Sequence, residues 1–595
     1  MEDDSESRKR KRTSHACDSC RHRKVRCDGR HPCATCSSTG ENCLYGAEAI
    51  PKSKSDLILD VVLRSERMLQ DMTAHLHTLL APASPLDPRI SSSPLAFVSP
   101  PTIDSAHPHR PASSPDQISN AILSQFHSST TESILAWPQF KDFHRLRRNY
   151  RGSVFHLESQ RPNLNYRSSG VLPYLTTSET KEILSSFDNK VNFWYPTLSQ
   201  AKRAEVEMKV LSNSLSDGID SCLAFLVMAL GCAGHYIGLI TDATADPVEL
   251  DSEHRWRLLN SLYFDHAFKQ VHLAQAECST TAVQCLFFTA LYFAFLQRPI
   301  QAWSFISAAA IKCRLLLSYP ASEPTSEHLE CLRRIFWSCY ILESDYLAEL
   351  SALPQAGIAD IESSVPLPGE YNTHLSSAIE EQSSLYFLAC ISMRRLLNRV
   401  HDLLYARNSG VASDVNQFPS VVAELDHQLT RWKDLLPPPF QFAINQEAAP
   451  SIEAGFLRQR YLACKSVIYR PYLTAGLSLT TRGEQVPDTV YEGCKTCLEA
   501  CCLHAQNLQG FPQTVMVDTW ICSLSMASVM LIALAAAREA SLRTCLPNIN
   551  ELGPHLAKNL TKWMQVPGRG VSPSVMQSVR LIEDASVSLQ NILEA

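Results

Sequence analysis

ACDSCRHRKVRCDGRHPCATCSSTGENC, residues 16–43, holds six of the chain's 21 cysteines. Cys17, Cys20 and Cys27 stand in the spacing C-x2-C-x6-C, and Cys33, Cys36 and Cys43 repeat it 16 residues later. A twofold repeat points to two similar half-sites. Tetrahedral zinc takes four ligands, so two ions take eight, and six thiolates make eight bonds when two of them bridge. Symmetry puts the bridging pair at the same place in each repeat, at Cys17 and Cys33. A single four-cysteine site leaves the repeat unexplained. Mixed sites drawing on His15, His22 or His31 lack a repeated spacing, and an iron–sulfur cluster has no need of so basic a setting. Structural zinc is the expectation. Four positive charges against six negative ones leave the cluster anionic. Arg21, Arg23, Lys24 and Arg26 lie close enough in sequence to offset this and to lower the thiol pKa values.

Working outward, the charge is uneven. Residues 8–36 carry ten Lys and Arg against Asp18 and Asp28, whereas the chain after Lys54 holds 42 basic and 52 acidic residues. A basic head on a mildly acidic body is suited to a polyanion. The run Arg8-Lys9-Arg10-Lys11-Arg12 reads as a nuclear import signal, a DNA-backbone arm, or both. The opening MEDDSESRKRKR has no apolar run, so no secretory signal peptide is expected, and a nuclear or cytosolic setting keeps thiols reduced. Each C-x2-C opens a short helix. The first runs from Asp18, an N-cap candidate, into Arg21-His22-Arg23-Lys24; the second, over 34–39, is neutral. Only the first has side chains able to donate to guanine in a major groove, while the second can offer backbone N–H groups to a phosphate.

With Asp28-Gly29, His31-Pro32 and Tyr45, the quoted stretch resembles the fungal binuclear zinc cluster family of transcription regulators. The resemblance implies two zinc ions per chain, with the first and fourth cysteines bridging. It also implies that Lys24, four residues after the second cysteine, reads the guanines of a CGG triplet, aided by the main chain around Arg23. Arg21 and Arg26 would then hold phosphates.

One small zinc module reads few base pairs, so specificity calls for a second copy. From Ile58 an alternating 4-3 spacing runs through Val62, Ser65, Leu69, Met72, Leu76 and Leu79, apolar except at Ser65. This reads as a short parallel coiled coil giving a homodimer, or as a lone helix packed on the body. The expected organisation is a basic arm over 1–14, the zinc module over 15–48 and a spacing linker over 49–56. A dimerisation helix over 57–80 and a disordered Pro/Ser-rich linker over 81–134 follow, then an all-helical domain over 135–595. Nine of the 34 prolines fall in 81–115, where Ser84, Ser93, Ser99 and Ser114 each precede one.

The body repeats apolar residues at helical spacing, as in Val283, Leu286, Phe287, Ala290, Leu291 and Ala294, or Leu332, Ile335, Phe336, Cys339 and Tyr340. Two uncharged stretches, 221–241 and 519–537, have the length of a membrane span and are read as buried helices instead. The runs STTAVQCLFFTALYFAFLQRPIQAWSFISAAAIKCRLLL (279–317) and LRRIFWSCYILESDYLAELSALPQAGI (332–358), with YEGCKTCLEACCLHAQNL (491–508), are similar to the regulatory domain of the same family, its middle homology region. Ser351-Ala352-Leu353-Pro354 departs from the family's Gly-Arg-Pro. Cys494, Cys497, Cys501 and Cys502 are read as small core residues, and Arg333 and Arg334 as partners of acids on a neighbouring helix. No GxSxG elbow, HExxH pair, Walker loop or GxGxxG follows the pattern an enzyme needs. The expected fold is a small zinc-stabilised DNA-binding module with a short coiled coil, followed by a large all-α regulatory domain. The expected function is sequence-specific DNA binding in transcription by RNA polymerase II, as an activator rather than a repressor. Double-stranded DNA and co-regulators or the transcription machinery would be its partners. A helical scaffold whose zinc head meets protein, and an enzyme with a zinc appendage, are the rival readings.

Overall fold

The computed structural model describes Ser19, Cys20, Arg23, Val25, Cys27, Asp28, 32–40 and Cys43, and then 123–594 except 125, 165–171, 173, 242–246, 320–324, 351–352, 370, 372–377 and 547–548. The chain divides into two units, Met1–His107 and Pro108–Ala595. The heptad positions Ile58, Val62, Leu69, Met72, Leu76 and Leu79 lie outside the described residues, as do Arg8, Lys9, Arg10, Lys11 and Arg12. In the first unit one helix is described, α1 (Ala34–Thr39).

The second unit is helical, and among its described residues the only bridge is between His127 and Ala406. Its helices are α2 (Thr131–Leu135), α3 (His144–Asn149), α4 (Val154–Ser159), α5 (Thr177–Phe187), α6 (Gln200–Leu211), α7 (Ile219–Thr241), α8 (Pro247–Ala276) and α9 (Thr280–Phe295). There follow α10 (Pro299–Ser318), α11 (Ser326–Leu347), α12 (Ala378–Tyr405), α13 (Phe418–Asp434), α14 (Ile452–Thr481) and α15 (Asp488–Gln509). The last four are α16 (Thr519–Ala537), α17 (Ala540–Arg543), α18 (Ile549–Gln565) and α19 (Pro573–Glu594).

The sequence sets many of the helix starts. Thr176 and Glu179 form a capping box on α5, and Ser279, Thr325, Ser451 and Asp518 cap α9, α11, α14 and α16 through their side chains. A helix apolar on every side has no polar face to give to water, so it must lie inside. Accordingly α7, α9 and α16 are buried along most of their length. Both stretches weighed as membrane spans are therefore core helices, with 78% and 83% of their most apolar windows covered. α10 is also long and apolar enough to cross a membrane, but only 28% of its window is buried. Neighbours in sequence pack as pairs, α7 with α8, α9 with α10 and α14 with α15, while α16 packs on α19. Glycine allows two of the closest approaches: a Cβ on Gly231 would lie 2.5 Å from the Ile183 carbonyl oxygen of α5, and one on Gly493 would lie 2.3 Å from the Tyr472 ring of α14.

Cys494, Cys497, Cys501 and Cys502 face this core and are at most 3% exposed. The Cys494 and Cys497 thiols donate to the Tyr472 and Ser466 carbonyls of α14. The arginine pair needs a correction. Arg333 and Arg334 meet Glu330, one turn back on their own helix, at 3.6 and 2.9 Å, because residues three and four apart share a helix face. Arg334 also donates to the Gly369 carbonyl and lies 4.3 Å from the centre of the Tyr371 ring.

The helical body also starts before 135. Leu123 and Ile134 are buried, Thr131 Oγ1 donates to the Leu524 carbonyl of α16, and Arg470 of α14 donates to the Ser129 carbonyl. Serines and threonines in 128–133 give this stretch a linker-like composition, yet the Ser129 and Thr131 hydroxyls find buried partners that composition does not reveal. Further inside, Asp345 of α11 accepts from Arg394 of α12 and Arg460 of α14, each at 2.8 Å. Burial alone would push its carboxyl up, but the two guanidinium groups outweigh that and hold it below the usual range.

Candidate metal centre and nucleic-acid interface

α1 is held at both ends. The Cys33 sulfur caps its start by accepting from the Cys36 N–H at 3.3 Å. Gly40 ends it in the left-handed region at φ 69°, its N–H donating to the Cys36 carbonyl. In the first repeat, Arg23 N–H donates to the Ser19 carbonyl and Val25 N–H to the Cys20 carbonyl, a single tight turn after Cys20. Two polar contacts tie the repeats together. Ala34 N–H donates to Asp28 Oδ1 at 3.2 Å, and the Arg23 guanidinium donates to Thr39 Oγ1 at 3.3 Å. The spacing of the cysteines carried no sign of either contact, although Asp28-Gly29 marked the turn.

Cys20, Cys27, Cys33, Cys36 and Cys43 are at most 8% exposed, and no other described residue of this unit is buried. Among the described residues of this unit, then, the buried interior is made of thiols alone, a lining suited to a metal that binds sulfur. The sulfur of Cys20 lies 3.5 Å from that of Cys33 and 3.8 Å from that of Cys36. Four thiolates around a zinc ion at about 2.3 Å stand roughly 3.8 Å apart, the edge of the tetrahedron, so the donor set fits zinc. Two groups of three gather within 4.8 Å, Cys20 with Cys27 and Cys33, and Cys33 with Cys36 and Cys43. Cys33 belongs to both. Its own N–H donates to the Cys43 sulfur at 3.1 Å, and such N–H to sulfur bonds stabilise thiolate charge.

Cys17, Arg21, Lys24 and Arg26 lie outside the described residues. Of the residues expected at DNA, Arg23 is described. Its guanidinium donates to Thr39 Oγ1, and its N–H to the Ser19 carbonyl.

Residues 15–51 match the fungal Zn(2)-Cys(6) binuclear cluster domain, and residues 184–434 match the fungal specific transcription factor domain. A protein of Aspergillus rugulosus whose name describes a transcription factor, ecdB, is 26% identical over 566 residues, covering 90% of this chain and 91% of its own. A transcriptional regulatory protein of Schizosaccharomyces pombe is 23% identical over 78% of this chain and 59% of its own length. The quinic acid utilization activator of Emericella nidulans is 48% identical over 54 residues, 9% of this chain and 6% of its own. No solved structure matches the chain.

Proposed function

We propose that this zinc-cluster transcription factor, which carries the family's cluster and regulatory domains in one chain, acts in the nucleus as a homodimer on paired CGG half-sites. Two zinc ions per chain would be held by Cys17, Cys20, Cys27, Cys33, Cys36 and Cys43, with Cys33 and Cys17 shared. Lys24 would read guanine O6 and N7, Arg21 and Arg26 would hold phosphates, and the main chain at Arg23 would assist. The seam from Ile58 to Leu79 would pair two copies, and Arg8–Arg12 would direct import. The observation that carries the reading is the place of Cys33 in both sulfur groups, which gives a metal-filled module in place of an apolar core. Activation is favoured over repression because two relatives matched over short stretches are named as activators, of citrinin biosynthesis in Monascus ruber and of quinic acid utilization. A metabolic or secondary-metabolite regulon is the corresponding target.

Selection from random duplex DNA with the zinc-loaded full chain tests this. Enrichment of paired CGG triplets, lost in Lys24→Ala, is the expected result, and the selected spacing then identifies target genes. If zinc binds and no sequence is enriched, the module makes protein contacts and the DNA roles are wrong.

A further inference from the structure

The stretch 126–133, by which the chain enters the helical body, runs antiparallel to the end of α12. Ser128 N–H donates to the Tyr405 carbonyl and Arg407 N–H to the Phe126 carbonyl, either side of the His127–Ala406 bridge. Beneath it, His127 Nε2 lies 3.3 Å from the Leu347 carbonyl, which can only accept, so that nitrogen carries the proton. The neutral ring then accepts from Ser129 Oγ at Nδ1, and Ser129 Oγ accepts from His401 Nδ1 at 2.8 Å. This relay fixes the inner side of the strap.

On the outer side is a cleft of about 370 Å³, walled by the strap on one side and by Leu404 to Ser413 on the other. That volume is at the small end of ligand sites. Among the described residues no carboxylate lines it. Arg407, Ser128 and Ser413 do, and none of their side chains has a protein partner. Phe126 stands at the cleft 48% exposed, a large apolar ring left uncovered. The hydroxyl of Ser133, also at the cleft, is held by Thr130. One cation, two unpartnered hydroxyls and an aromatic surface with no opposing acid suit one kind of ligand, an anion carried on a flat apolar group.

We propose that this cleft binds a small organic acid, its carboxylate on Arg407 and the hydroxyls of Ser128 and Ser413, its apolar part against Phe126. Because the ligand touches both the strap and the α12 end, occupancy stabilises the strap on the body. The proposal stands apart from the DNA reading, since every residue it uses lies in the second unit.

Phenylacetate is the probe, titrated calorimetrically into the full chain, with acetate, inorganic phosphate and 2-phenylethanol as comparisons. Saturable binding of one phenylacetate per chain is expected. Arg407→Gln should weaken it about tenfold or more, the effect of losing a charge-assisted bond. Phe126→Ala should weaken it too, and neither change should alter the melting temperature without ligand, as both side chains are exposed. Phenylacetate should also slow proteolysis within 126–133 in the wild type but not in Arg407→Gln. The proposal is overturned if phenylacetate shows no saturable binding up to ~10 mM, well above the range of a specific site. It is equally overturned if Arg407→Gln binds it as well as the wild type, or if acetate or phosphate binds as tightly, which marks a bare anion patch.

Discussion

Replacing Cys33 by serine should remove a ligand from both metal positions, whereas replacing Cys43 should remove one from a single position, since among the described cysteines only Cys33 belongs to both sulfur groups. A structural zinc site in a small peptide is worth roughly 10–16 kcal/mol from four ligands, or about 3 kcal/mol for each. That is a factor of about 100 in affinity. Cys33→Ser should weaken two ions by that factor and Cys43→Ser one. The serine hydroxyl can still accept from the Cys36 N–H and keep α1 capped, so the difference reports on metal and not on the helix. The assay is zinc content of the full chain after dialysis against stepped chelator. At a step where the wild type stays loaded, Cys33→Ser should lose both ions and Cys43→Ser should keep one. Equal loss in the two variants would refute the shared-sulfur reasoning.

Asp345→Asn removes the carboxylate that pairs the buried Arg394 and the partly buried Arg460 guanidinium groups. The expected cost is about 3–5 kcal/mol, read as a fall in the denaturant midpoint of the helical body. Gly231→Val drives a side chain into the Ile183 carbonyl and should cost at least ~1–3 kcal/mol, while a substitution at exposed Met208 should leave the midpoint unchanged. Burial raises the Glu349 carboxyl, which accepts from the Thr131 N–H, to about 7. Folding therefore takes up a proton between the unfolded value near 4.5 and 7, and stability contributed by this group falls as pH rises through that window. Glu349→Gln should reduce that slope, to which buried Glu343 and Asp518 also contribute, and melt higher than the wild type above pH 7, and an unchanged slope would contradict the assignment. Burial lowers His127 and His504 to about 4, so their contribution has the opposite sign, present above the unfolded value of 6.5 and lost as pH falls toward 4. His127→Gln should flatten the acid limb of the melting curve.

Local spacing decided the metal module, because ligands on a short loop have few ways to close on one ion. The repeat at Cys17 and Cys33 pointed to the shared sulfur, and the neutral helix expected over 34–39 is the α1 observed. It also decided the helical class, since α7, α9 and α16 are too apolar on every side to lie anywhere but inside. What spacing could not decide is which distant groups meet. Arg334 found its acid four residues away, where a neighbouring helix was expected. Ser129 found His401 across 272 residues, which drew a serine-rich stretch of linker composition into the body and walled a cleft. Hydrogen bonds between buried polar groups depend on how separate segments pack, and periodicity within any one of them says nothing about which partner the next will present.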